Sequence, residues 1–94
     1  MIGSFKSKAL KRFAETGDGS KLPVPNHERV RQIVLALNAA TEPEAMNIPG
    51  FQYHPLKGDQ KGRYAVSASG NYRITFGFEG EDAVQVDLED YHRR

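Results

Sequence analysis

An apolar-alternating segment ends on Asp90-Tyr91-His92, so an acid, a phenol and an imidazole leave it together. A second imidazole, His54, stands before Pro55-Leu56-Lys57-Gly58. Imidazole is the side chain best matched to proton transfer near neutral pH. Cutting RNA without a metal takes three services. A base removes the 2′-hydroxyl proton, an acid protonates the leaving 5′-oxygen, and cations stabilise the charged phosphate. His54 and His92 have the chemistry of the first two. Lys57, three residues after His54, and Arg73, with its planar fork, suit the third. Asp90 can orient an imidazole or raise its pKa, and Tyr91 can stack on a base or hydrogen-bond near the phosphate.

Each residue also has a plainer reading. Arg73 on a strand suits a cross-strand ion pair with Asp87 or Glu89. Lys57-Gly58-Asp59 alone is a turn, residues 90–94 alone are a polar tail, and His27 reads as an ordinary surface histidine in a Pro-rich loop.

The elements that must position these groups follow from periodicity. Ile2 to Phe5 reads as a short first strand, with Ser4 or its neighbours capping a helix to about Thr16. Phe5, Ala9, Leu10 and Phe13 form the apolar side of that helix, and Lys6, Lys8, Lys11 and Arg12 face outward. Gly17 suits its left-handed end. Asn26 is the expected cap of a second helix, whose Val30, Ile33, Val34 and Leu37 repeat as one buried stripe. Ala39 and Ala40 carry it towards Thr41, and Pro43 closes it. Residues 43–50 read as a loop with at most one turn.

From Phe51 the period becomes two. Phe51, Tyr53 and Leu56 suggest a strand, followed by the turn-rich residues 57–62. Tyr64, Val66 and Ala68 mark a second strand, and Gly70-Asn71 turns the chain. Tyr72, Ile74, Phe76 and Phe78 share one face of a third, with Arg73 and Thr75 on the other. After Gly80-Glu81-Asp82, Val84, Val86 and Leu88 mark a last inward series. Short connections imply an antiparallel meander. The expected fold class is α+β: two N-terminal helices packed on one face of a mainly antiparallel twisted sheet, as one domain over residues 1–94.

The 94 residues are 38% hydrophobic and 27% charged, with no cysteine. That composition suits a modest globular core and excludes disulfides and thiolate metal sites. Net charge is only +1, so bulk charge gives no argument for nucleic-acid binding. The charge is nevertheless segregated. The first dozen residues are purely basic, whereas Glu79 to Asp90 holds six acids and no base. No apolar run is long enough to span a membrane, and Met1-Ile2-Gly3-Ser4-Phe5 lacks the apolar segment of a secretory signal. A cytoplasmic location is expected. HxxH, HExxH, P-loop, dinucleotide and GxSxG patterns are absent, so neither a metal nor a cofactor is expected. Beyond Arg29, Arg31 and Gln32, the second helix lacks an outward set of base-reading residues.

Five segments occur in one order: Ile2-Gly3-Ser4-Phe5-Lys6, Ala39-Ala40-Thr41-Glu42, Leu56-Lys57-Gly58-Asp59, Asn71-Tyr72-Arg73-Ile74-Thr75-Phe76 and Glu89-Asp90-Tyr91-His92. Together they resemble the HigB-type toxins of the RelE/ParE toxin–antitoxin superfamily over nearly the whole length. The resemblance implies a RelE-like fold and a ribosome-dependent, metal-independent endonuclease that cuts mRNA in the ribosomal A site. Attack by the 2′-hydroxyl would leave a 2′,3′-cyclic phosphate. Carried onto this chain, the functional positions are His54, Asp90, Tyr91 and His92, with Lys57 and Arg73 as phosphate contacts and Asn71 near the codon. Lys8, Lys11 and Arg12 would meet ribosomal RNA. The implied partners are the ribosome, mRNA and a helix-turn-helix antitoxin, with operator DNA reached only through the antitoxin. The Gly- and Pro-rich residues 16–26 depart from the family pattern. The ParE branch poisons DNA gyrase instead; a gyrase inhibitor, or a non-catalytic RNA- or protein-binding module, are the alternatives.

Overall fold

The computed structural model describes residues 1–90. Helix α1 (Lys8–Thr16) starts where the Ser7 hydroxyl accepts from the Leu10 amide, and ends at Gly17, whose φ of 80° is a left-handed cap. Ser7, not Ser4, is therefore the cap. Helix α2 (His27–Ala39) begins at Asn26, whose side-chain Oδ1 accepts from the Arg29 amide. It stops at Ala39 because Ala40 is already extended. Pro43–Met46 supply one 3-10 turn, as expected of that loop, and bury Met46 completely. The Gly- and Pro-rich connection between the helices is no mere spacer, since it sends Leu22 and Val24 into the core.

The sheet contains β1 (His54–Pro55), β2 (Tyr64–Ser69), β3 (Tyr72–Glu79) and β4 (Asp82–Asp90), in that order and antiparallel throughout. Val66, Ile74, Phe76 and Val86 point to the helices, where they join Leu10, Phe13, Val30, Ile33 and Leu37. This is the expected α+β layout of a RelE-like fold. Phe76 is fully buried, so truncating it to alanine costs about 3–5 kcal/mol.

The structure departs from the sequence reading in three places. Residues 51–56 do not form a full strand. Gln52 has a φ of 54°, which breaks the extended backbone, and Pro55 has no amide to donate. Only His54 and Pro55 pair, while the Phe51 carbonyl and the Leu56 amide extend the contact irregularly to Ser67 and Arg63. Second, Val84 is not inward. Ala83 takes that place, fully buried, and Val84 pairs with Gly77 on the opposite side. An extra residue in β4 between the Thr75 and Gly77 pairings shifts the alternation, and Gln85 carries a φ of 52° there. Third, Ile2 and Phe5 do pair as an edge segment, but in parallel and with β4. The Ser4 hydroxyl accepts from the Gln85 amide at 2.8 Å, so the segment also satisfies the bulge.

Candidate active site

Strand alternation decides which side chains share the open side of the sheet. Ser67 pairs with Arg73, Ala65 with Thr75, and His54 with Ala65. Across the other edge of β3, Arg73 pairs with Glu89 and Thr75 with Asp87. His54, Ser67, Arg73, Thr75, Asp87 and Glu89 therefore share the face turned away from the helices. A cleft of ≈ 80 Å³ on that face is lined by Gln52, His54, Ser67 and Arg73. Two of the residues singled out from sequence are thus brought together, a histidine and an arginine more than one strand apart.

His54 is exposed, and its Nδ1 lies 3.0 Å from the Gln52 carbonyl oxygen. A carbonyl can only accept, so the bond requires the proton on Nδ1. In the neutral ring the lone pair is then on Nε2, the tautomer a general base needs. The left-handed backbone of Gln52 helps to fix that carbonyl. The residue that ended the expected strand thus orients the histidine.

Arg73 pairs with Glu89, Nη2 to Oε1 at 3.1 Å, with both side chains largely withdrawn from water. The plainer expectation of a cross-strand ion pair and the placement of Arg73 in the cleft hold together. Lys57 is exposed just before the 3-10 turn Gly58–Gln60, and Asn71 is exposed at the β2–β3 turn. Asp90 pairs with Tyr72 at the end of β4, one position beyond the Arg73–Glu89 pair. By alternation it belongs to the Tyr72 side. Tyr91 and His92 lie outside the described residues.

The cations of α1 stand elsewhere. Lys8, Lys11 and Arg12 are exposed but do not line the cleft. Arg12 donates from Nε to Asp18 Oδ2 at 2.7 Å, and this bond holds the Asp18 carboxyl well below its ordinary value. Two expectations about side chains are corrected. His27 is half-buried as the first residue of α2, its ring 5.8 Å from that of Phe13. Arg29 is not outward. It donates to the Ser67 carbonyl at 2.9 and 3.2 Å and to the Gly50 carbonyl at 2.6 Å, with its guanidinium over Phe51.

Tyr53 adds a phenol near the start of β1. Burial first, then the negative charge of Glu44, pushes it up to about 12, so it remains a donor to Glu44. Gln52, Ser67, Thr75, Arg63 and Glu89 were not singled out for the site from sequence. Their shared parity with His54 and Arg73 was the available signal. Among the described residues no three His, Asp or Glu side chains converge as metal ligands, and no helix is long and apolar enough to cross a membrane.

With this geometry, residues 3–92 match the model of a family described as the RelE-like toxin of the type II toxin–antitoxin system HigB. The chain belongs to that family. It is also 40% identical over 92 residues to a Proteus vulgaris protein named Endoribonuclease HigB, covering 98% of this chain and all of that one. Membership of the HigB-like toxins makes the chain the toxin of a type II pair, and such a pair implies an antitoxin partner. It also gives the cleft a context, because the aligned span takes in His54, Lys57, Asn71, Arg73, Asp90, Tyr91 and His92.

Proposed function

We propose that this toxin is an endoribonuclease that cuts mRNA in the A site of the ribosome and so stops translation. The observation that carries the reading is the cleft, where a histidine with its Nδ1 proton fixed faces the same space as an arginine. His54 Nε2 is oriented to exchange a proton with the reacting RNA. A base removes the 2′-hydroxyl proton, the 2′-oxygen attacks the adjacent phosphorus, and the 5′-oxygen leaves with a proton. The products are a 2′,3′-cyclic phosphate and a 5′-hydroxyl. His54 and His92 share the two proton transfers, and Asp90 orients an imidazole or substitutes as base. Tyr91 stacks on a base or bonds near the phosphate. Arg73 and Lys57 neutralise the charge building on the phosphate, and no metal takes part. Asn71 contacts the codon from the hairpin tip.

Docking is a separate task. Lys8, Lys11 and Arg12 present positive charge to ribosomal-RNA phosphates, a contact that weakens with salt. Arg12 contributes least, because Asp18 already holds it. The toxin works in the cytoplasm with a helix-turn-helix antitoxin, through which alone it reaches operator DNA.

Primer extension on a translated message after brief induction tests the reading. Cuts within codons, absent when the message is not translated and absent for His54→Ala, are expected. Intact message accompanied by a DNA-damage response would replace this reading with gyrase poisoning. Growth arrest with neither cuts nor damage would leave a binding module.

A further inference from the structure

Behind the cleft, a line of polar side chains runs from the entry of β2 across β3 to β4. Arg63, just before β2, donates from Nη2 to Thr75 Oγ1 at 3.0 Å and to the Gln85 carbonyl at 2.8 Å. Thr75 is completely buried, the one buried polar residue among those described. Its hydroxyl donates to Glu89 Oε2 at 3.2 Å. The other carboxylate oxygen, Oε1, accepts from Arg73 Nε at 3.3 Å and Nη2 at 3.1 Å. Each oxygen of Glu89 therefore has its own task.

We propose that Glu89, fixed from behind by Thr75 and Arg63, is a positioning residue that sets the direction in which Arg73 meets the RNA phosphate. This rests on the reading of Arg73 as a phosphate contact. Two observations favour it. Arg73 lines the cleft with His54 while Glu89 holds it from the neighbouring strand. Second, Glu89 cannot swing away with Arg73, because its second oxygen is tied to a hydroxyl buried in β3. Arginine has many rotamers, and holding it in one before RNA arrives removes an ordering cost from the reactive complex. Arg63 extends the restraint to the bulge, since its guanidinium also holds the carbonyl of Gln85.

Single-turnover cleavage of mRNA on programmed ribosomes, at saturating toxin, provides the test. Glu89→Gln nearly preserves shape but removes the charge that orients Arg73. Cleavage is expected to slow about 10- to 100-fold while affinity for the ribosome stays unchanged. Thr75→Val should slow it severalfold by releasing Glu89. In an Arg73→Ala background, Glu89→Gln should add no further loss, which a merely structural role would not produce. Glu89→Asp, retaining the charge on a shorter stem, should recover part of the rate. Wild-type rates for both Glu89→Gln and Thr75→Val would overturn the proposal. So would faster cleavage by Glu89→Gln, which would make the carboxylate a competitor for the phosphate, or an equal loss with and without Arg73. If Arg73→Ala itself cuts like wild type, the phosphate-contact reading fails first, and that outcome is separately visible.

Discussion

The two sides of β2 and β3 come from the same residues in alternation, yet they are built on different terms. Towards the helices, Val66, Ile74 and Phe76 are fully buried and belong to the apolar core. On the other side, Arg73 and Thr75 both bond to Glu89, in a polar network where each partner is a specific atom. Burial on the first side is non-directional and tolerates changes that preserve volume. On the second side, an unmatched donor or acceptor exposes the whole cost of its desolvation. One face sets how firmly the strands are held, and the other spends that rigidity on direction.

Substitutions chosen from opposite sides should therefore fail in different assays. The largest effect expected is from His54→Ala, a loss of about 10²- to 10⁴-fold in cleavage with an unchanged melting temperature, because the side chain is exposed. A His54→Ala protein that melts early, or still arrests growth, breaks the division. Phe76→Ala is the mirror case, losing about 3–5 kcal/mol of stability in denaturant titration. Any folded fraction of it should retain its cleavage rate.

Arg29→Ala sharpens the contrast between cations. Arg29 holds α2 to β2 through the Ser67 carbonyl, on the same residue whose side chain lines the cleft. Its loss should cost about 1.5–3 kcal/mol, seen as a lower urea midpoint, and should slow cleavage only through Ser67. A cleavage defect without destabilisation would move Arg29 into the site.

The smallest effect expected lies away from both faces. Arg12 keeps the Asp18 carboxyl below its ordinary value of 3.8. The unfolded chain then takes up the proton first as pH falls, so the contribution is complete above about that value. It fades as pH drops from there towards the depressed folded-state value. Asp18→Asn should lower the melting temperature slightly at neutral pH, and the gap should close in acid. A gap that widens in acid would reverse the assignment.

How much of this was legible from the chain depends on the range of each signal. The stripe Val30, Ile33, Val34, Leu37 and the alternation of residues 72–78 carry their own geometry, so α2 and β3 could be read directly. The bulge at Gln85 could not, because period two has no mark for an inserted residue and Val84 is as apolar as Ala83. Gln52 broke the expected strand by adopting a conformation that its type rarely takes. In the cleft, His54 and Arg73 were readable by chemical type and parity. Glu89 was readable only as a plain ion-pair partner, since its link to Thr75 depends on a register no single segment contains. By register, Asp90 falls on the Tyr72 side, which residue type could not indicate.

The parallel contact of Met1–Phe5 with β4 has a consequence in time. The Gln85 amide meets the Ser4 hydroxyl across 81 positions of sequence, so Ser4 cannot settle until Gln85 has been made. β4 also carries Glu89. A nascent chain can form its helices early, but the sheet edge and the support behind Arg73 close only when the C-terminal strand has emerged.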